Sequence, residues 1–125
     1  MLDLSEDFGT TAHYLADYVG SVESVKVDQD LARLTVRRCV DRRNVRVVLE
    51  DLEKLTFPTQ HYDLIILGSL ENHDLDEQQL TQLLNRLRPA LSTRGVLLVN
   101  AQNQNRLSCR FSPQINLNDD GPDYA

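Results

Sequence analysis

The sequence predicts an α/β domain, a doubly wound and mostly parallel sheet flanked by helices, and three observations carry that prediction. Short apolar runs at residues 2–4, 22–27, 45–49, 64–67 and 96–99 alternate with stretches of helical period, the pattern of strands joined by right-handed crossovers. The first run ends on an acid, Asp3, and passes through a tight polar turn, Leu4-Ser5-Glu6-Asp7-Phe8-Gly9, directly into an amphipathic helix. Such a strand, turn and helix is the usual place for an α/β sheet to hold a nucleotide. At 125 residues the chain is long enough for one sheet covered on both faces and too short for a paired dinucleotide fold.

Each element has its own signal. In the first helix, about 10–19, Ala12, Leu15, Ala16 and Val19 share a face and Gly20 is a natural stop. Asp28 closes the second strand roughly 20 residues after the turn, where an acid reaches a ribose hydroxyl; it is equally a helix N-cap, and both roles can hold together. The second helix, about 29–41, aligns Ala32, Val36, Cys39 and Val40. Asp51 follows the third strand, and the stretch 52–62, with Phe57-Pro58, reads as a loop or short helix.

The longest helix, about 75–91, carries a stripe of Leu80, Leu83, Leu84, Leu87 and Leu91, with Asp74 and Glu77 as a capping box. Pro89 and Gly95 mark its end and the turn into the fifth strand. Parallel strands connected in this way stack in the order 3-2-1-4-5, with ligands expected beyond the carboxyl ends at the switch point between strands one and four. The expected domain spans 1–105. Residues 106–125 are expected to supply an edge strand, Arg106 to Phe111, and an irregular tail from Ile115 to Ala125.

Composition narrows the function. A hydrophobic fraction of 41% with 26% charged residues is ordinary for a globular domain. A formal charge of -6 and a pI near 4.9 argue against a broad basic surface, so no nucleic-acid partner is expected. Arg37, Arg38, Arg42 and Arg43 cluster late in a helix, where cations complement its dipole. Cys39 and Cys109 have neither metal nor disulfide spacing, which fits the cytoplasm, and Cys39 reads as a small buried side chain. No apolar run approaches the roughly 20 residues needed to cross a bilayer, and no basic-then-apolar leader is present, so no membrane partner is expected. An acidic first helical turn accounts for Asp74, Asp76 and Glu77 beside His73 without a metal, and none is expected. His13 and His61 have no evident partners.

From residue 1 to about 105 the series of motifs resembles the class I S-adenosylmethionine-dependent methyltransferases. The residues that carry the likeness are Asp3 to Gly9, Asp28, the run Leu49-Glu50-Asp51-Leu52, the run Tyr62-Asp63-Leu64-Ile65-Ile66-Leu67-Gly68-Ser69, and the closing Leu87-Arg88-Pro89-Ala90-Leu91 to Gly95-Val96-Leu97-Leu98-Val99. The resemblance implies S-adenosylmethionine as cofactor and a small-molecule or saccharide-type acceptor. It implies that Asp3 orients the turn, Ser5 and Gly9 line the methionine part, Asp28 holds the ribose, Gln29 lies beside adenine, and Asp51 with Leu52 borders adenine. Ser69 follows the fourth strand, which ends beside the transferred methyl. Asp3 also has a plainer reading, an acid satisfied by turn amides. Methyl transfer needs mainly a bound cofactor and a positioned nucleophile, so Glu71 and His73 are the catalytic candidates, His73 as base; both also read simply as a lead into the next helix.

Two departures bear on activity. The family alternates three glycines after the acid, whereas Ser5 and Asp7 occupy two of those places, which invites crowding and strain. An Asp7 carboxylate about 4 Å from a cofactor carboxylate would repel it by up to roughly 4 kcal/mol at an effective dielectric near 20, unless it turned to solvent. The alternative is therefore a catalytically inactive methyltransferase-like interaction or scaffold module of a larger protein. A nicotinamide-dependent oxidoreductase shares the strand, turn and helix but needs a full glycine fingerprint and a second nucleotide-binding half. The sequence shows neither the helices expected before the first strand nor the usual final strand hairpin, which leaves the fifth strand as an open edge. Arg106 to Phe111, a second copy of the chain in a homodimer, or other domains of a larger protein are expected to cover it.

Overall fold

The computed structural model describes residues 1–69 and 72–100. Its elements run β1 (Leu2–Asp3), α1 (Thr10–Leu15), β2 (Val22–Lys26), α2 (Gln29–Arg38), β3 (Val45–Leu49), a 3₁₀ turn (Leu52–Lys54), β4 (Tyr62–Leu67), α3 (Glu77–Leu87), a second 3₁₀ turn (Arg88–Ala90) and β5 (Leu91–Val99). The sheet order is β3-β2-β1-β4-β5, and the pairings β1 with β2, β1 with β4, β2 with β3 and β4 with β5 are all parallel. The predicted doubly wound α/β class and strand order are what the chain adopts. The predicted edge strand at Arg106 to Phe111, the tail at Ile115 to Ala125, Cys109 and Glu71 lie outside the described residues.

Alternation along the strands sends side chains to two cores. Leu2, Leu4, Val25, Ile65 and Leu67 pack with Leu80, Leu83 and Leu87 of α3. On the other face Val22 meets Ala12, Ala16 and Cys39. Because Val22, Ser24 and Lys26 share that second face, the β2 lysine enters the protein beneath the β1–α1 turn rather than solvent, and its side chain is fully buried.

Several boundaries differ from expectation for local reasons. The first helix stops at Leu15 rather than near Val19: the Tyr18 N–H turns back to Leu15, and Asn44 Nδ2 takes the carbonyls of Ala16 at 2.9 Å and Val19 at 3.2 Å. The second stops at Arg38, where the Cys39 N–H is shared by the Thr35 and Arg37 carbonyls. The capping box is Asp76 with Gln79, not Asp74 with Glu77, because Asp74 sits at φ 54°, outside helical geometry. Gly95 lies within β5, which starts at Leu91. The register of β5 against β4 shifts between Tyr62 and Leu64, an irregularity a continuous apolar pattern does not reveal. His13 does have a partner, Asp41 Oδ1 at 3.6 Å. Among the described residues no helix is long and apolar enough to cross a membrane.

Candidate functional site

The turn after β1 is built inward. Asp3 is fully buried; its Oδ1 accepts from the Ser5 N–H at 3.0 Å and its Oδ2 from the Ser24 hydroxyl at 2.9 Å. Asp7, which the sequence leaves pointing either at a ligand or at solvent, does neither. Its carboxylate caps its own helix, accepting from the Gly9 N–H at 2.9 Å and the Thr11 hydroxyl at 2.7 Å, and meets Lys26 Nζ at 3.0 Å. Lys26 Nζ also donates to the Ser5 carbonyl and lies 3.9 Å from Asp3 Oδ2.

The charges respond to this placement. Burial pushes the Asp3 carboxyl above its ordinary range, against the pull of the Lys26 ammonium and the Ser5 and Ser24 donors. Burial acts the same way on Asp7, but the Lys26 charge and the Thr11 and Gly9 hydrogen bonds outweigh it, so Asp7 lies below the usual carboxylate range. One ammonium thus serves two carboxylates in a space largely closed to water.

Gly9 keeps the one glycine of the turn whose conformation demands it. Its φ is 92°, and a Cβ there would stand 2.9 Å from Thr35 Cα. α1 is thereby pressed against α2, where the Thr35 hydroxyl is occupied by the Leu31 carbonyl at 2.7 Å.

At the switch point the loop after β4 crosses to β1. Asn72 Nδ2 donates to the Glu6 carbonyl at 2.9 Å, and His73 Nε2 lies 2.6 Å from the Leu4 carbonyl, so Nε2 carries the proton. His73 Nδ1 is buried without a partner among the described residues. Burial holds the His73 imidazole below its ordinary value, outweighing the Leu4 carbonyl and Glu6, which favour the charged form. Ser5 Oγ is likewise buried and unpartnered among the described residues; a Cβ on Gly68 would stand 2.6 Å from it, so bare backbone at Gly68 is what lets β1 and β4 close together. Ser69, next in line, takes φ 53°.

The rim beyond β2 and β3 is different in character. Asp28 is exposed; its Oδ2 caps α2 through the Leu31 N–H at 3.2 Å, which leaves the other oxygen free for a ligand among the described residues. Its own N–H, with that of Val27, is taken by the Glu6 carboxylate, at 2.8 Å and 3.1 Å. Gln29 and Asp51 are exposed, Asp51 Oδ2 lies 3.8 Å from Lys54 Nζ, and Leu52 is buried beside them.

The structure therefore sorts the residues named from sequence into two groups. Asp3, Ser5 and Gly9 are internal to the turn; Asp28, Gln29 and Asp51 form an accessible rim at the carboxyl ends of adjacent strands, and Leu52 is buried in the core behind Asp51. Sequence reasoning gave no role to Lys26, Glu6 or Asn72. A lysine at an inward position of a central parallel strand was the available signal, since such a cation needs a carboxylate partner and the neighbouring strand leads straight into Asp3 and Asp7. At the opposite ends of the strands a hollow of about 810 Å³ lies between β2, β3 and β4. There Glu23 is held by the Tyr62 hydroxyl at 2.7 Å and by Arg46, while burial and the Glu23 contact push the Tyr62 hydroxyl well above its ordinary value.

A family model described as a methyltransferase domain matches residues 1–95. No curated protein sequence matches the chain. Among solved structures, a S-adenosylmethionine-dependent methyltransferase of Leishmania major superposes with a TM-score of 0.69 at 19% identity over 78% of this chain and 40% of its own. Phosphoethanolamine N-methyltransferase 1 of Haemonchus contortus, in complex with phosphoethanolamine and S-adenosylhomocysteine, gives 0.72 at 17% over 78% and 21%. The N-methyltransferase NodS of Bradyrhizobium japonicum gives 0.70 at 15% over 78% and 55%. The chain thus spans between 21% and 55% of the length of these relatives.

Proposed function

Because the chain belongs to the methyltransferase domain family, whose cofactor is S-adenosylmethionine, we propose that it is a methyltransferase domain acting on a small-molecule or saccharide-type acceptor in the cytoplasm. The observation that supports this most is the rim: two exposed carboxylates, Asp28 and Asp51, and buried Leu52 stand at the carboxyl ends of β2 and β3, beside the switch point. Those residues fit an adenosyl group. The free Asp28 oxygen would accept from ribose hydroxyls, Leu52 would back the adenine with an apolar side chain, Asp51 would accept from its amino group, and Gln29 would lie beside the ring.

When bound, the cofactor supplies an electrophilic methyl group on a sulfonium. The chain's part is then to hold the adenosyl end, exclude water and manage the acceptor's proton. His73 suits proton transfer because it is neutral near pH 7, and Nδ1 keeps a lone pair while Nε2 is fixed on the Leu4 carbonyl.

Calorimetric titration with S-adenosylhomocysteine tests the reading. Binding that weakens tenfold or more in Asp28→Asn supports it; absence of heat at millimolar ligand defeats it. Phosphoethanolamine, which the Haemonchus contortus relative binds, is a sensible first acceptor. One observation favours the second reading, an inactive interaction or scaffold module: Lys26, Asp7, Glu6, Asn72 and His73 are engaged within the chain at the place where a ligand's polar groups would be met. The same titration separates the two.

A further inference from the structure

Lys26 and Asp7 place an ammonium and a carboxylate 3.0 Å apart inside the turn. The groups that hold them are those that would hold the two charges of a free amino acid. The ammonium rests on the Ser5 carbonyl, and the carboxylate takes the Gly9 N–H and the Thr11 hydroxyl. A polar turn leading into a helix normally leaves such amides for an incoming anion. Here the chain fills them itself.

Resting on the adenosyl reading above, we propose that this internal pair stands in for the amino-acid end of the ligand. The site then recognises its ligand as a 5′-thio-substituted adenine nucleoside and does not read an amino-acid tail. Three features of the surroundings agree. The Lys26 side chain is fully enclosed, donates to the Ser5 carbonyl and to Asp7, and has Asp3 Oδ2 3.9 Å away, so its charge is compensated and shielded within the chain rather than offered to a ligand carboxylate. Asp3, Glu6 and Asp28 at this end of β1 and β2 are acids, which disfavours a further anion, and the Arg38 guanidinium beside them is turned to the Phe8 carbonyl at 3.1 Å. The buried Ser5 hydroxyl, unpartnered among the described residues and set against Gly68, with Asn72 and His73 tied to the Glu6 and Leu4 carbonyls after β1, fills the space between β1 and β4 with protein. The nucleoside rim at Asp28, Asp51 and Leu52 is untouched by any of this.

The test compares S-adenosylhomocysteine with 5′-methylthioadenosine, both thioethers of adenosine, which differ in the amino-acid tail. The expected dissociation constants of the unaltered chain agree within threefold. A tenfold or greater preference for S-adenosylhomocysteine, about 1.4 kcal/mol, overturns the inference and leaves the adenosyl reading standing. Binding of neither at millimolar concentration defeats the adenosyl reading itself, and the inference with it. The variant Lys26→Met/Asp7→Gly vacates the turn and is expected to gain at least fivefold preference for the tailed ligand once circular dichroism shows it folded. An unchanged ratio in the folded variant also overturns the inference.

Discussion

Replacing Lys26 by methionine is the sharpest test of how this turn is held. Methionine keeps much of the side chain's length and volume, so the change removes a charge and its donors while opening little cavity. Asp7 and Asp3 then face each other across the turn with no cation, and the Ser5 carbonyl loses its donor. Breaking a buried pair by removing one partner costs about 3–5 kcal/mol. The Lys26 side chain is wholly enclosed and that of Asp7 is 18% exposed, so solvent screening reduces the figure only slightly. Against a domain stability of about 5–15 kcal/mol, the variant should lose roughly a fifth or more of its margin and melt roughly 10–20 °C lower.

Urea unfolding followed by circular dichroism reads this directly, and the double variant Lys26→Met/Asp7→Asn supplies the control. Once Asp7 is neutral, part of the loss should return, with a coupling above about 1.5 kcal/mol between the two sites. The pH dependence has a definite sign. Asp7 lies below its ordinary value near 3.8, so its contribution is present above that value and is lost as pH falls through the lower folded one. In Lys26→Met that acid-side loss should shrink. A cost below about 1 kcal/mol with no coupling to Asp7 would refute the account of the turn as a charge-compensated structure.

Two further outcomes follow from single residues. Gly9→Ala meets both a positive φ and a backbone atom, Thr35 Cα, at 2.9 Å, and should destabilise by about 2–4 kcal/mol; an unfolding midpoint close to that of the unaltered chain would show that α1 can shift freely against α2. For His73 the imidazole lies below its ordinary 6.5, so it contributes stability above pH 6.5 that is lost as pH falls through the depressed folded value. NMR titration should give a His73 midpoint under 6.5, and His73→Gln should flatten the stability profile below that pH. A midpoint above 6.5 would mean that the buried Nδ1 has found a partner.

The architecture was legible because periodicity is local. Five short apolar runs separated by helical stretches leave few topologies once crossovers must be right-handed, and the order β3-β2-β1-β4-β5 follows. Element ends were less legible because tertiary groups decide them: Asn44, twenty-eight residues away, takes the Ala16 carbonyl, and Gly95 sits at a register shift between two strands. The positions of Asp28 and Asp51 could be placed since each lies two residues beyond the end of a strand. The fate of Asp7 could not, because it depends on Lys26, whose burial is visible only when β2 is known to lie beside β1 with its Ser24 face turned to the turn.

That dependence changes the meaning of the two departures from the glycine pattern. Taken singly, Ser5 and Asp7 look like damage to a ligand site. Taken with the structure, each has a specific accommodation: Ser5 packs against the bare backbone of Gly68, and Asp7 has both a helix start and a cation. An acid left without such neighbours would carry the full desolvation penalty of a buried charge. Instead the penalty is offset within the chain, so the turn keeps a defined shape whether or not a ligand is present. On the adenosyl reading proposed above, what the replacements alter is therefore not whether the sheet can carry a site at its switch point but which end of the ligand that site would grip.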